Sequence, residues 1–381
     1  MNDPQPGLDP DRFFNDRTPG SQEWWYFDAI SHDGRDALVI VWYASLPFDP
    51  AYGRAARRHL SGPQRHPAPD PLDHCAIGLS WYRDGRTIAY ALNAYRRADF
   101  HLEAAPFTVS VEDNQLTRDE RGYQLRVRTP AVDGRRSITA DLRFDPAQST
   151  RPFEQDLGMP GSPHRWVLVA SDCRVGGAVH IDHEPPLHFQ GRGYHDHNAG
   201  AEEIGLAMRS WRWGRAHAGP ITQVYYLAEP RGGPPKGLWI TCRDGRPERV
   251  RAMPTVGLER WSWNPYGLRT ARKLTIDGEL LREHERIVDD GPFYQRWLSR
   301  FSWPGQGHPV LGLSELLRPE NLHRPWFRWM VPYRLKRPTR KKGPMGVGCQ
   351  GVFATLGVQP GCSQGVDESI ASRQGGPSCS S

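Results

Sequence analysis

The densest polar stretch of the chain reads HIDHEPPLHFQGRGYHDHN, from His180 to Asn198. It contains five histidines, and the first chemistry it invites is metal binding. His195 and His197 on an extended strand would point to the same side, with Glu202 close behind, as ligands on alternate strand residues do. A second ligand motif is absent and the glycines around the first are wrongly spaced, so the expectation is that no metal is bound. The other chemistry is proton donation by Asp196. If Tyr194–Asn198 is extended, Tyr194, Asp196 and Asn198 share one face, and His195 and His197 the other. A carboxyl flanked by a phenol and an amide, in a chain with 14 Trp, becomes a usable acid if aromatic burial raises its pKa. An Asp that merely fixes a tight turn has the same spacing.

A second cluster, Glu23-Trp24-Trp25-Tyr26-Phe27-Asp28, alternates so that Trp24, Tyr26 and Asp28 face one way and Glu23, Trp25 and Phe27 the other. Both faces are aromatic, which predicts a strand buried on both sides, and a buried Glu23 or Asp28 then requires a partner. Trp211 with Trp213, and Trp261 with Trp263, repeat a W-x-W spacing that pairs indoles on one strand face. Such pairs suit a core or the wall of a long apolar cavity.

These residues sit among strands. Short runs rich in Val, Ile, Tyr and Trp recur at Glu23–Ser31, Ala37–Ser45, Cys75–Arg83, Thr87–Tyr95, Phe107–Glu112, Tyr123–Thr129 and Ser137–Phe144. They continue at Trp166–Ser171, Trp211–His217, Gln223–Glu229, Gly237–Arg243 and Leu268–Ile276. Asp-Gly pairs after His32, Arg83, Val132 and Arg243 are strong hairpin signals. Helical periodicity is scarce, with one short helix expected over Pro309–Leu317. Antiparallel strands without βαβ alternation predict an all-β protein of barrels or sandwiches. Residues 49–73 and 146–164 read as a mobile loop and a rim, and the domain change is placed near residues 183–200.

The 381 residues suggest two domains. The net charge of +6 is local: residues 321–342 carry eight Lys or Arg and no acid, whereas residues 1–320 hold 40 basic and 41 acidic residues. The body therefore offers no broad basic face, and nucleic acid is not an expected partner. The basic segment also holds Trp326, Phe327, Trp329, Met330 and Tyr333, a mixture suited to an anionic membrane surface or to a last strand followed by a solvated charge run. No apolar run reaches the length of a membrane span and the first residues are not a signal peptide. The six scattered cysteines read as reduced thiols, so a cytoplasmic location is expected. From Gly343 on, nine Gly and three Cys in 39 residues predict a disordered tail.

Four segments together resemble the hydroxyneurosporene synthase family, the acyclic carotenoid 1,2-hydratases. They are Pro19-Gly-Ser-Gln-Glu-Trp-Trp-Tyr-Phe-Asp28, Gly191-Arg-Gly-Tyr-His-Asp-His-Asn-Ala-Gly200, Trp211-Arg-Trp-Gly-Arg215, and Pro325-Trp-Phe-Arg-Trp-Met-Val-Pro-Tyr333. The first two blocks also occur in a wider superfamily of paired lipocalin-like barrels that includes pericyclase-type enzymes. The resemblance implies two consecutive lipocalin-like antiparallel β-barrels. Residues 1–18 would be an extension, 19–190 the first barrel, 191–342 the second with its basic aromatic end, and 343–381 the tail.

The implied activity is cofactor-free addition of water to the terminal C1=C2 bond of an acyclic carotenoid such as neurosporene or lycopene. Protonation at C2 leaves a tertiary cation at C1, which water captures. Asp196 would donate the proton, and Tyr194 would orient that acid or face the cation. Trp24, Tyr26, Trp211 and Trp213 would line the site and stabilise the cation by contacts of roughly 0.5–2 kcal/mol each. His195, His197, Asn198 and Glu23 would hold the water or the acid. An apolar polyene partitions into lipid, so the enzyme would be a peripheral membrane protein. A carrier of a hydrophobic ligand and a cyclase of the same superfamily are the competing readings.

Overall fold

A computed structural model describes residues 9–62, 66–327 and 330–337. The expected tail, most of the charge run Arg337–Lys342, and Trp329 lie outside the described residues. The chain forms two antiparallel sheets of twelve and nine strands, the paired lipocalin-like barrels expected of the fold. Both follow one plan. In the first sheet the opening strand Gln22–Ser31 pairs with the closing strand Leu187–Gly200; in the second, Met208–Ala218 pairs with Val310–Leu317. In both, the sheet opens between its fourth and fifth strands. The hairpins behave as their sequences require: Asp84 and Gly85, and likewise Asp244 and Gly245, all have positive φ, the geometry of a tight turn that matches strand twist.

Four expectations need correction. The strand Leu187–Gly200 lies within the first sheet, between Gln22–Ser31 and His164–Ile181. The change of barrel therefore falls after Gly200, not at 190/191, because ten ladder pairs tie this strand to the first one. The supposed helix over Pro309–Leu317 is the strand Val310–Leu317, hydrogen-bonded on both edges; a short apolar run in a sheet centre mimics a buried helix. The supposed loop 49–73 contains a helix, Pro50–Ser61. Asp49 caps it by accepting from the Ala51 N–H at 2.8 Å, and Tyr52 and Ala56, four apart, are buried on one face. Finally, Trp261 and Trp263 lie on the edge strand Val256–Trp263, 40% and 67% exposed, so the second W-x-W pair lines no core.

Three apolar layers result. Trp25, Phe27, Trp42 and Phe144 fill the first barrel; Tyr225, Trp239, Leu274 and Phe301 fill the second. Between the sheets, Trp24, Tyr26, Trp166 and Tyr194 of the first pack with Trp211, Trp213 and Tyr226 of the second. The strand Gln22–Ser31 thus sends alternate aromatics into two cores, which explains why both of its faces are apolar.

Candidate active site

The strand pairing sets Tyr26 opposite Asp196, and Trp24 opposite Asn198, on the face turned toward the second sheet. His164–Ile181 adds Trp166 beside Asn198 and Leu168 beside Asp196. Asp196 is buried within this layer. Its Oδ2 accepts from Trp166 Nε1 at 3.0 Å and from the Tyr194 hydroxyl at 2.8 Å, and its Oδ1 accepts from Asn198 Nδ2 at 2.9 Å. Trp213 Nε1 points at the Tyr194 oxygen, 3.3 Å away. No ion pair reaches Asp196 among the described residues. Burial pushes its carboxyl up to about 7, against the lowering influence of the bonds from Trp166 and Tyr194.

The other side of the strand Leu187–Gly200 does a different job. His195 stacks on Phe27 at 3.8 Å and bonds through Nε2 with Asp11 Oδ1 at 2.9 Å. His197 stacks on Trp25 and bonds with Glu23 Oε1 at 2.9 Å. Burial disfavours charge on His197, but Glu23 outweighs it and raises the imidazole's pKa. Glu23 also accepts from the Phe14 and Asn15 backbone N–H groups, at 2.9 and 3.2 Å, and Asp11 accepts from Tyr123 at 2.7 Å. His195, His197 and Glu23 therefore bind the N-terminal segment against the first barrel and face away from Asp196. Among the described residues no group of three or more His, Cys, Asp or Glu side chains is arranged to hold a metal ion.

A cavity of about 390 Å³ opens between the two sheets, within the range of small-ligand sites. Trp24, Tyr26, Val41 and Tyr43 form one wall and Trp211, Phe293 and Tyr294 the other, with Met330 and Tyr333 also contributing. Ionic groups also line it, among them the buried Asp289 and Arg296 and the largely buried Glu315; Glu315 Oε1 accepts from Arg296 Nε at 2.7 Å and Tyr26 OH at 3.2 Å. Asp196 stands behind this wall, across the ladder from Tyr26. The structure thus brings Tyr194, Asp196, Asn198, Trp24, Tyr26, Trp211 and Trp213 into one layer.

Sequence reasoning missed Trp166, His164, Tyr226, Arg296 and Glu315. His164 Nε2 and the Tyr226 hydroxyl are 3.1 Å apart, and burial lowers the His164 pKa to about 4, leaving it neutral. The H-x-W spacing of His164 and Trp166 signals two side chains on one strand face, the pattern already used for W-x-W pairs. Glu315 and Arg296 gave no local signal, since strand pairing alone brings them together.

The family model described as carotenoid hydratase CrtC matches residues 39–343. A hydroxyneurosporene dehydrogenase from Chlorobaculum tepidum is 28% identical, over 84% of this chain and 88% of the relative. An acyclic carotenoid 1,2-hydratase from Thiocapsa roseopersicina is also 28% identical, over 84% of this chain and 74% of its own length. Among solved structures, an AttH protein from Nitrosomonas europaea overlays with a TM-score of 0.55 at 14% identity, covering 82% of this chain and 98% of that one, a likeness of fold.

Proposed function

Because the chain belongs to the carotenoid hydratase CrtC family, we propose that it hydrates the terminal C1=C2 bond of acyclic carotenoids such as neurosporene or lycopene, with Asp196 as the proton donor. The observation that carries this reading is a buried carboxyl with no cationic partner among the described residues, held among indoles and phenols with its pKa raised to about 7. It can keep a proton at neutral pH and give it to an alkene carbon. The end of the polyene enters the inter-sheet cavity past Trp24 and Trp211, whose ring faces stabilise the C1 cation. Tyr26 turns aside to admit it to Asp196. Water then captures the cation and no cofactor takes part.

A second reading rests on the cavity wall, where Glu315 and not Asp196 is exposed to the ligand space. Glu315 is already ion-paired with Arg296 and bonded to the Tyr26 hydroxyl, so its carboxyl is engaged within the wall. We therefore assign it to holding Arg296 in place, and to holding Tyr26 until the polyene enters. The test of the function is direct: purified protein is incubated with lycopene or neurosporene in lipid micelles, with a chelator and no added cofactor, and the pigments are weighed by mass spectrometry. A gain of one water is expected. Bound but unchanged pigment would favour a carrier or a cyclase with another substrate.

No helix among the described residues is long and apolar enough to cross a membrane, yet the substrate resides in lipid. We place the contact with an anionic membrane surface at the end of the molecule bearing Trp261, Trp263 and Tyr333. Trp263 and Tyr333 are each 67% exposed, Arg269 lies over both indoles, and Tyr333 reaches the cavity wall. Arg334 and Arg337 are spent on ion pairs with Asp289 and Asp49, so these two cations of the basic segment contribute less than the sequence implies. Protein is expected to co-sediment with anionic vesicles at low salt, and Trp263→Ser to weaken this several-fold, with about 1 kcal/mol lost per contact. Equal sedimentation of the variant would remove Trp263 from the contact.

A further inference from the structure

Hydration needs a controlled water as well as an acid, and the cavity that receives the polyene is lined largely by apolar side chains. One same-face row along the ladder from Asn198, and two from Asp196, the chain places Gln22, Gly200 and His164 side by side. Among the described residues three polar atoms in this corner make no close hydrogen bond, Gln22 Oε1, His164 Nδ1 and Asn198 Oδ1, although the His164 and Asn198 side chains lie near enough to influence each other. Their residues are each at least nine-tenths buried. The other polar atoms of the same side chains are all engaged, Gln22 Nε2 with the Glu202 carbonyl at 3.2 Å, His164 Nε2 with Tyr226, and Asn198 Nδ2 with Asp196. Unpaired buried polar atoms are costly, and a cluster of two to four of them is what an internal water requires.

Glycine is needed at the centre of this corner. A Cβ on Gly200 would lie 2.9 Å from Gln22 Nε2 and 3.2 Å from His164 Nδ1, so any larger residue would push Gln22 away from the imidazole. Behind Gln22 and Gly200 a separate hollow of about 230 Å³ reaches the surface beside Asn15 and Arg17. The hollow and the polyene cavity share no lining residue.

We infer that Gln22, His164 and Asn198 hold a buried water beside Asp196, fed from the hollow at Asn15 and Arg17, and that this water supplies the hydroxyl of the product. The inference rests on the hydratase reading. In the step, the O–H bond of Asp196 breaks as the alkene electron pair forms C2–H. A lone pair of the water then forms C1–O, and the water's surplus proton passes to the Asp196 carboxylate. One water is consumed and the acid is regenerated. Gln22 is a positioning residue: it touches the water and not the polyene. If the water is missing, the cation instead loses a proton from a C1 methyl group, giving a terminal-methylene isomer of unchanged elemental composition.

The test follows products in heavy water with Gln22→Met, which keeps side-chain length and removes both polar atoms. The wild-type protein is expected to give hydrated pigment carrying deuterium at C2. The variant is expected to lose hydration about tenfold, the worth of one hydrogen bond, while still placing deuterium at C2 and releasing the isomer. Unchanged partition between alcohol and isomer would overturn the inference. A high-resolution crystal structure of the wild-type protein decides the matter if the variant fails to fold. Density for a water bonded to Gln22 Oε1, His164 Nδ1 and Asn198 Oδ1 supports it, and an empty corner refutes it. Wild-type protein that neither hydrates nor exchanges deuterium would instead sink the hydratase reading, and the same density would still judge the water site.

Discussion

Asp196→Asn is expected to lower carotenoid hydration by roughly 10²–10⁴-fold, the usual contribution of a general acid, while polyene binding is retained. Asn preserves the shape and can still accept from Trp166 and Tyr194 through its carbonyl oxygen, while its amide nitrogen replaces the oxygen that accepts from Asn198, so the Asn198 amide must turn over to present its Oδ1. What the variant lacks is a transferable proton. The active form of the wild-type protein is the protonated acid, and with its pKa near 7 activity should be flat below neutrality and fall about tenfold per unit above it. Trp166→Phe removes an indole bond that favours the carboxylate and should move this falling limb to higher pH. Pigment turnover in Asp196→Asn at the wild-type rate would eliminate Asp196 as the donor and return attention to Glu315.

The same carboxyl makes a stability prediction of opposite sign. Unfolded, Asp196 titrates near the ordinary value of about 3.9; folded, it is raised to about 7 because burial penalises its charge. Between these values the folded chain holds more protons than the unfolded one, so stability declines as pH rises through this window and levels off above 7. The full effect is on the order of 4 kcal/mol. Asn carries no such penalty. Asp196→Asn should therefore melt at a higher temperature than the wild-type protein at pH 8, with the gap closing toward pH 4. An enzyme that stores a proton in an apolar layer is less stable for it, which is the pattern expected when stability is given up for chemistry. Equal melting temperatures at both pH values would show that the carboxyl is not desolvated in solution.

The alternation of the two motif strands is legible in the sequence, and with it the separation of Asp196, Tyr194 and Asn198 from His195 and His197. A period of two is enough to sort faces. It does not say which face meets which core. The five histidines drew attention as candidate ligands, yet the two on the motif strand bond with Asp11 and Glu23, residues more than 170 positions away. Partners so distant in sequence are set by strand order, and strand order carries no local signal. The change of barrel was misplaced for the same reason: a glycine-rich stretch from Gly191 to Gly200 reads as a junction, but glycines on this strand mark close approach. A Cβ on Gly193 would lie 2.7 Å from the Asp28 carbonyl, within the sheet. The helix Pro50–Ser61 was hidden by its polar, arginine-rich outer face, although its Asp-Pro start is a recognisable N-terminus.

Arg215→Met is expected to destabilise the protein by about 3–5 kcal/mol, the cost of leaving one buried charge without its partner. Arg215 and Asp28 are both buried, one from each sheet, and Arg215 Nε donates to Asp28 Oδ1 at 2.8 Å. Burial raises the Asp28 pKa even with the guanidinium beside it, so removing Arg215 takes away the main influence holding it down. In the variant the folded carboxyl titrates far above its unfolded value. Stability is then lost as pH rises between the two, and the deficit against the wild-type protein should be greatest at alkaline pH and shrink toward pH 5. The double variant Asp28→Asn with Arg215→Met removes both charges and should recover most of the loss, since a pair of neutral groups in a packed layer can match or exceed a buried ion pair. Thermal melts of the four proteins of this cycle measure the coupling. Independent, additive effects of the two substitutions would mean that the pair does not join the sheets. A large coupling means that the first barrel holds the second in register by a charge placed one ladder row from Tyr26 and Asp196, so that loosening the joint between the barrels also loosens the aromatic layer in which the acid keeps its proton.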